Sequence, residues 1–204
     1  MVLEQIKVGA DNFSYLIYDP GLGEAALVDP GIDSSEAMER IRGMDLDLKY
    51  VINTHSHVDH SGDNGKVVAG TGAKLVASEK ASEDMIQKVD IIVGDGDTLK
   101  AGEIEFKFLE TPGHTMGGIC IIVDGMCLIT GDTLFIDDCG RCDLNGSNVE
   151  KMFESLGKLK QLDRSLIVYP GHDYGPKPFD TLGNQIRTNR TLKATSADEL
   201  SGMD

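Results

Sequence analysis

All five histidines of this chain sit in short motifs of the kind that present metal ligands. His55, His57 and His60 share Thr54-His55-Ser56-His57-Val58-Asp59-His60 with Asp59. His114 follows Pro112-Gly113, His172 follows Pro170-Gly171, and Asp132 stands between Gly131 and Thr133. Neutral imidazole and carboxylate are the usual protein ligands for zinc and non-haem iron. His55, His57, Asp59, His60, His114, Asp132 and His172 are therefore candidate metal ligands, enough for two divalent ions. Zinc is the first expectation, and the same donors accept iron or manganese.

The spacing sorts these groups. His55 and His57 are two apart, so on extended backbone both side chains leave one face and can chelate one ion. Asp59 and His60 follow on the next turn and can point toward a second ion, whose shell His172 would complete. Asp132 has two carboxylate oxygens and could bridge both. Such a set leaves positions for water, and a metal-bound water ionises near neutral pH and becomes a nucleophile. The facing ion would polarise a carbonyl and stabilise the oxyanion that forms. The expected chemistry is hydrolysis of an activated acyl compound, with Asp59 and Asp132 as candidate catalytic carboxylates.

Loops that bring distant ligands together need rigid elements behind them. Each motif begins just after an apolar or alternating run, at 48–54, 104–109, 126–130 and 165–169. Further strands are predicted at 12–18 and 24–29, joined as a hairpin by Asp19-Pro20-Gly21-Leu22-Gly23, and at 74–77, 91–93 and 119–124. Helices are predicted from Ser34 or Ser35 to Gly43, over 65–69, over 149–159 with Asn148 as cap, and over 182–189. With no linker, repeat or low-complexity stretch, residues 1–204 are expected to form a single domain.

Composition narrows the function. The formal net charge is −15, from 34 acidic and 19 basic residues, and no Lys/Arg-rich run exists, so nucleic acid is not an expected partner. No apolar stretch approaches the roughly 20 residues that span a bilayer, and no signal peptide is visible. A cytoplasmic protein without a membrane partner is expected. Cys120 and Cys127 lie in apolar runs and read as small buried residues; Cys139 and Cys142 form one C-x-x-C, too few ligands for a zinc knuckle.

The four motifs Thr54 to His60, Thr111-Pro112-Gly113-His114-Thr115, Gly131-Asp132-Thr133-Leu134-Phe135 and Tyr169-Pro170-Gly171-His172 resemble the metallo-β-lactamase superfamily. The resemblance implies an α+β fold, a four-layer αββα sandwich of two mixed β-sheets flanked by helices. It also implies that His55, His57 and His114 hold a first metal and Asp59, His60 and His172 a second, with Asp132 bridging. Gly131 to Phe135 followed by Cys139-Gly140-Arg141 is similar to glyoxalase II, the hydroxyacylglutathione hydrolase, which cleaves a glutathione thioester. That likeness implies Arg141 and Tyr174 as substrate-binding residues and a small thioester or thiol-derived substrate. Cys139-Gly140-Arg141-Cys142-Asp143 with Tyr169 to Tyr174 also resembles persulfide dioxygenases. Those relatives bind one iron through the equivalents of His55, His114 and Asp132.

Overall fold

The computed structural model describes residues 1–203. Two six-stranded mixed sheets stack face to face. The first contains β1 (Val2–Val8), β2 (Asn12–Tyr18), β3 (Glu24–Val28), β4 (Asp47–Ile52), β5 (Lys74–Ser78) and β6 (Ile91–Val93), in that order. Pairing is antiparallel through β3 and parallel from β3 to β6. The second sheet runs β12 (Asp180–Thr181), β11 (Ile167–Pro170), β10 (Cys127–Gly131), β9 (Ile119–Val123), β8 (Ile104–Glu110) and β7 (Thr98–Ala101). Here only β10 and β11 run parallel.

Alternation decides which face of each strand is buried where. In β8, Ile104, Phe106 and Phe108 point inward while Glu105 and Lys107 face water. These residues meet Tyr15, Ile17, Val28 and Ile52 of the first sheet in the core between the sheets. Each sheet also buries its outer face. Leu16, Leu27 and Val51 pack on α1 (Ser35–Gly43) and α3 (Asn64–Thr71), through Met38, Ile41 and Val67. Cys120, Leu128 and Val168 pack on α5 (Val149–Leu159), α6 (Leu182–Thr188) and α7 (Ala197–Ser201). The result is the helix–sheet–sheet–helix layering that the resemblance implied.

The hairpin at 12–28 and the strands ahead of all four motifs form as expected. Asn148 caps α5, its side chain accepting from the Lys151 N–H. Two details differ. Ser34 precedes α1 but does not cap it; its hydroxyl and N–H both donate to Asp63 Oδ2, each at 2.8 Å. The strand expected from Ser165 starts at Ile167, because Asp163 draws the Ser165 N–H and hydroxyl into a turn. Among the described residues, no helix is long and apolar enough to cross a membrane.

Candidate metal centre

The motif-bearing strands end along one rim of the sandwich, where the sheets are stitched together. The Phe13 N–H donates to Gly171 O at 2.8 Å, and the Ile119 N–H to Thr54 O at 2.9 Å. A register shift between Ile129 and Gly131 ends the β10–β11 ladder just before Asp132. Bulges of this kind turn the next side chain away from the sheet plane. Asp59 and His60 sit on the single-turn α2 (Val58–Ser61) that follows the strand-end histidines.

The structure brings all seven predicted ligands together. His55 Nε2 and His114 Nε2 each stand 3.1 Å from His57 Nδ1. His60 Nε2 and His172 Nε2 are 3.2 Å apart, and Asp59 Oδ2 lies 3.6 Å and 3.4 Å from them. Asp132 stands between the two sets. Its Oδ2 is 3.4 Å from His114 Nε2 and 3.3 Å from His172 Nε2, and its Oδ1 is 3.3 Å from His60 Nε2. Two ligands each about 2.0–2.1 Å from a tetrahedral zinc stand roughly 3.3–3.4 Å apart, so these spacings suit one ion in each set.

The outer ring of hydrogen bonds fixes which nitrogen carries the outward proton in three of the histidines. His114 Nδ1 lies 2.9 Å from Arg141 O, and a carbonyl can only accept. His60 Nδ1 lies 3.0 Å from the buried carboxylate of Asp29. The Thr54 hydroxyl gives its one proton to Asp29 Oδ2 at 2.6 Å, so at 3.1 Å from His55 Nδ1 it must accept. His55, His60 and His114 thus carry a proton on Nδ1 and direct Nε2 into one cluster, where it is the ligating atom once any second proton is displaced. At most one proton on His57 Nδ1 could relieve one of its two contacts. Asp132 Oδ1 is buried without a hydrogen-bond partner. Converging ring nitrogens beside a buried carboxylate form a site that suits cations, whether protons or metal ions.

The electrostatics divide the set into rings held neutral and rings that attract a second proton. Burial and the neighbouring His60 push the His55 pKa well below its ordinary value, keeping the ring neutral, and burial also lowers that of His57. At His60 burial acts downward, but the Asp132 and Asp29 carboxylates outweigh it and hold the pKa well above the usual range. His172 follows the same pattern, with burial opposed by Asp132 and Asp59, and reaches about 9. Asp59 is held far below the usual carboxylate range, first by His172 and against a burial penalty. The Asp132 pKa also lies well below that range, since the surrounding imidazoles outweigh its burial.

Asp29, the Thr54 hydroxyl and the Arg141 carbonyl were not predicted as site groups. A carboxylate at a strand end could have flagged Asp29. Nothing in the sequence marks a backbone carbonyl.

A cavity of about 390 Å³ opens beside the cluster, lined by His114, Asp132, Phe135, Arg141 and Tyr174 among others. Tyr174 stacks on His172 with ring centres 4.7 Å apart and planes within 8°. Burial and then the nearby Asp11 raise its pKa, so the hydroxyl stays a donor at neutral pH. The Arg141 guanidinium makes a two-pronged pair with Asp143, both contacts 2.6 Å, at an exposed position. Cys139 lines the same cavity, and Cys120 is fully buried, with burial pushing its thiol up to about 11.

The metallo-β-lactamase superfamily model matches residues 9–172, a span that contains every one of these candidate ligands. The chain belongs to that superfamily. Within it, the chain is 41% identical to a hydroxyacylglutathione hydrolase of Polaromonas sp., over 85% of this chain and 67% of that one. A probable polyketide biosynthesis zinc-dependent hydrolase, BaeB, of Bacillus velezensis is 33% identical over 87% of this chain and 80% of its own. Among solved structures, ETHE1 from Myxococcus xanthus superposes with a TM-score of 0.91 at 29% identity, covering 100% of this chain and 89% of that one.

Proposed function

We propose that the chain is a metal-dependent hydrolase of the glyoxalase II-like type, cleaving a thioester such as a hydroxyacylglutathione. The observation that carries this reading is the set of tautomer-fixed imidazoles around Asp132, opening onto a cavity that holds Arg141 and Tyr174. The relatives named above as hydrolases support it. We assign His55, His57 and His114 to one divalent ion and Asp59, His60 and His172 to a second, with Asp132 reaching both. Zinc is the first choice. When bound, the ions supply a water ionised near neutral pH and polarise the thioester carbonyl.

The chain's own residues do the rest. Asp29, Thr54 and the Arg141 carbonyl hold three imidazoles in their ligating tautomer, so no reorganisation is needed as charge develops. Asp59 and Asp132 contribute the anionic oxygens of the set. Arg141 and Tyr174 hold the thiol portion of the substrate in the cavity, and fixing its position lowers the entropy cost of reaching the transition state. The proposed setting is the cytoplasm, with residues 1–204 acting as one domain on a small molecule rather than on nucleic acid.

A second reading, persulfide dioxygenase with one iron, is favoured by the Arg141–Asp143 pair and the whole-chain likeness to ETHE1. One experiment separates the two. The protein is purified without oxygen, its metal counted, and S-lactoylglutathione hydrolysis assayed beside oxygen uptake with glutathione persulfide. The hydrolase reading expects two ions per chain and hydrolysis, with a loss of about 100-fold or more in His172→Ala. One iron per chain with oxygen consumption would establish the dioxygenase instead.

A further inference from the structure

The cavity beside the metal cluster carries two guanidiniums in its wall, and the proposed reaction so far uses one. The other is Arg190, from the stretch after α6. Two fully buried amides fix its segment to loop 134–139, which lines the same cavity. Asn189 Nδ2 donates to Phe135 O at 3.2 Å and to Asp138 O at 2.9 Å, while Gln185 Oε1 accepts from the Asp137 N–H at 2.8 Å. Asn189 Oδ1 in turn accepts from the N–H and hydroxyl of Thr191, at 2.9 and 2.8 Å. Loop 134–139 and the Arg190 segment are therefore one rigid piece, with a cation at the cavity and the metal ligands His114 and Asp132 in the same lining.

The Arg190 guanidinium meets Asp138 Oδ2 at 2.6 Å, with the arginine side chain about half exposed. Its five donors in a planar fork let it hold a ligand oxyanion alongside its protein partners. Such a group is needed here for a reason of charge. The molecule carries a formal −15 and repels anions at long range, so an anionic thiol carrier has to be drawn in locally. Phe135, Ile136 and Pro176 give the same cavity apolar surface for the body of the carrier.

We propose that Arg190 is a specificity-determining residue that binds an oxyanion, carboxylate or phosphate, of the thiol carrier. Arg141 engages a second anionic group of the same molecule. This rests on the thioester hydrolase reading above.

The test compares one acyl group on three carriers: glutathione, with carboxylates; coenzyme A, with phosphates; and neutral N-acetylcysteamine. Wild type prefers an anionic carrier. Arg190→Gln lowers the anionic-to-neutral ratio of kcat/KM about tenfold, mainly through KM, and Arg190→Lys lowers it less. The carrier whose advantage collapses identifies the oxyanion. Asp138→Asn removes the ion pair but keeps the guanidinium, so the ratio holds or rises. The proposal is overturned if Arg190→Gln leaves the ratio unchanged, or if Asp138→Asn lowers it equally, which would mean the pair merely props the loop.

If no thioester is turned over, the hydrolase reading fails, and Arg190 is then read by calorimetry with S-methylglutathione and S-methyl-coenzyme A. Wild type binds at least one of these thioethers, and Arg190→Gln weakens it about tenfold; equal binding overturns the assignment. Thermal melting checks that each variant folds, and Arg190→Lys gives the result if the glutamine variant does not.

Discussion

At the scale of single residues, the site depends on groups that never touch a substrate. Asp29 receives the Thr54 N–H at 2.8 Å, the Thr54 hydroxyl at 2.6 Å and His60 Nδ1 at 3.0 Å, so one carboxylate orients two histidine ligands. Asp29→Asn keeps the shape but puts an N–H donor where a donor already points. We expect metal affinity to fall about 10–100-fold, measured by competition with a chromophoric chelator, while the seven ligands remain in place. Unchanged affinity would mean that Asp29 serves packing alone. The candidate ligands were legible in the sequence because imidazoles two apart after an apolar run have few structural uses. Asp29 was not, because an acidic residue before Pro30-Gly31 reads as an ordinary turn former, and its partners lie 25 and 31 positions away.

At the scale of elements, the strand ends and the glycines beside them set the ligand geometry. The main strands were readable from alternation, and the position of every motif after a strand was readable with them. Other pieces were not: β7, β12, α4 (Glu79–Asp84) and α7 are too short to give a clear period, and in the seven-residue β1 the adjacent Glu4 and Gln5 interrupt the apolar pattern. Neither could the sequence reveal how closely two strand ends approach. A Cβ at Gly171 would run into Asp132 Oδ1 and lie 2.9 Å from His60 Cε1. Gly171→Ala must therefore displace the carboxylate between the two ligand sets. Metal per chain, measured by plasma mass spectrometry, should fall, and activity should drop on the order of 100-fold, with far-UV circular dichroism unchanged. Full metal content and activity would show that the loop yields without moving Asp132.

At the scale of the whole molecule, metal and proton compete for a cluster that the fold has already assembled. Metal-free protein holds protons there instead, since the carboxylates around His60 and His172 raise both pKa values, that of His172 to about 9. A histidine whose folded pKa exceeds its unfolded value near 6.5 stabilises the fold fully below 6.5 and loses that contribution as pH rises through the folded value. Chelator-treated protein should accordingly become less stable between pH 6.5 and 9, by on the order of 2 kcal/mol, in urea unfolding followed by circular dichroism. The metal-loaded protein should show little of this decline, because its ligands are already deprotonated and bound cations offset part of the −15 charge. The two unfolding curves should therefore separate progressively toward pH 9. Curves that stay parallel across the window would show that His60 and His172 hold no protons in the metal-free fold. The cluster would then be a set of neutral lone pairs held together by the sandwich alone.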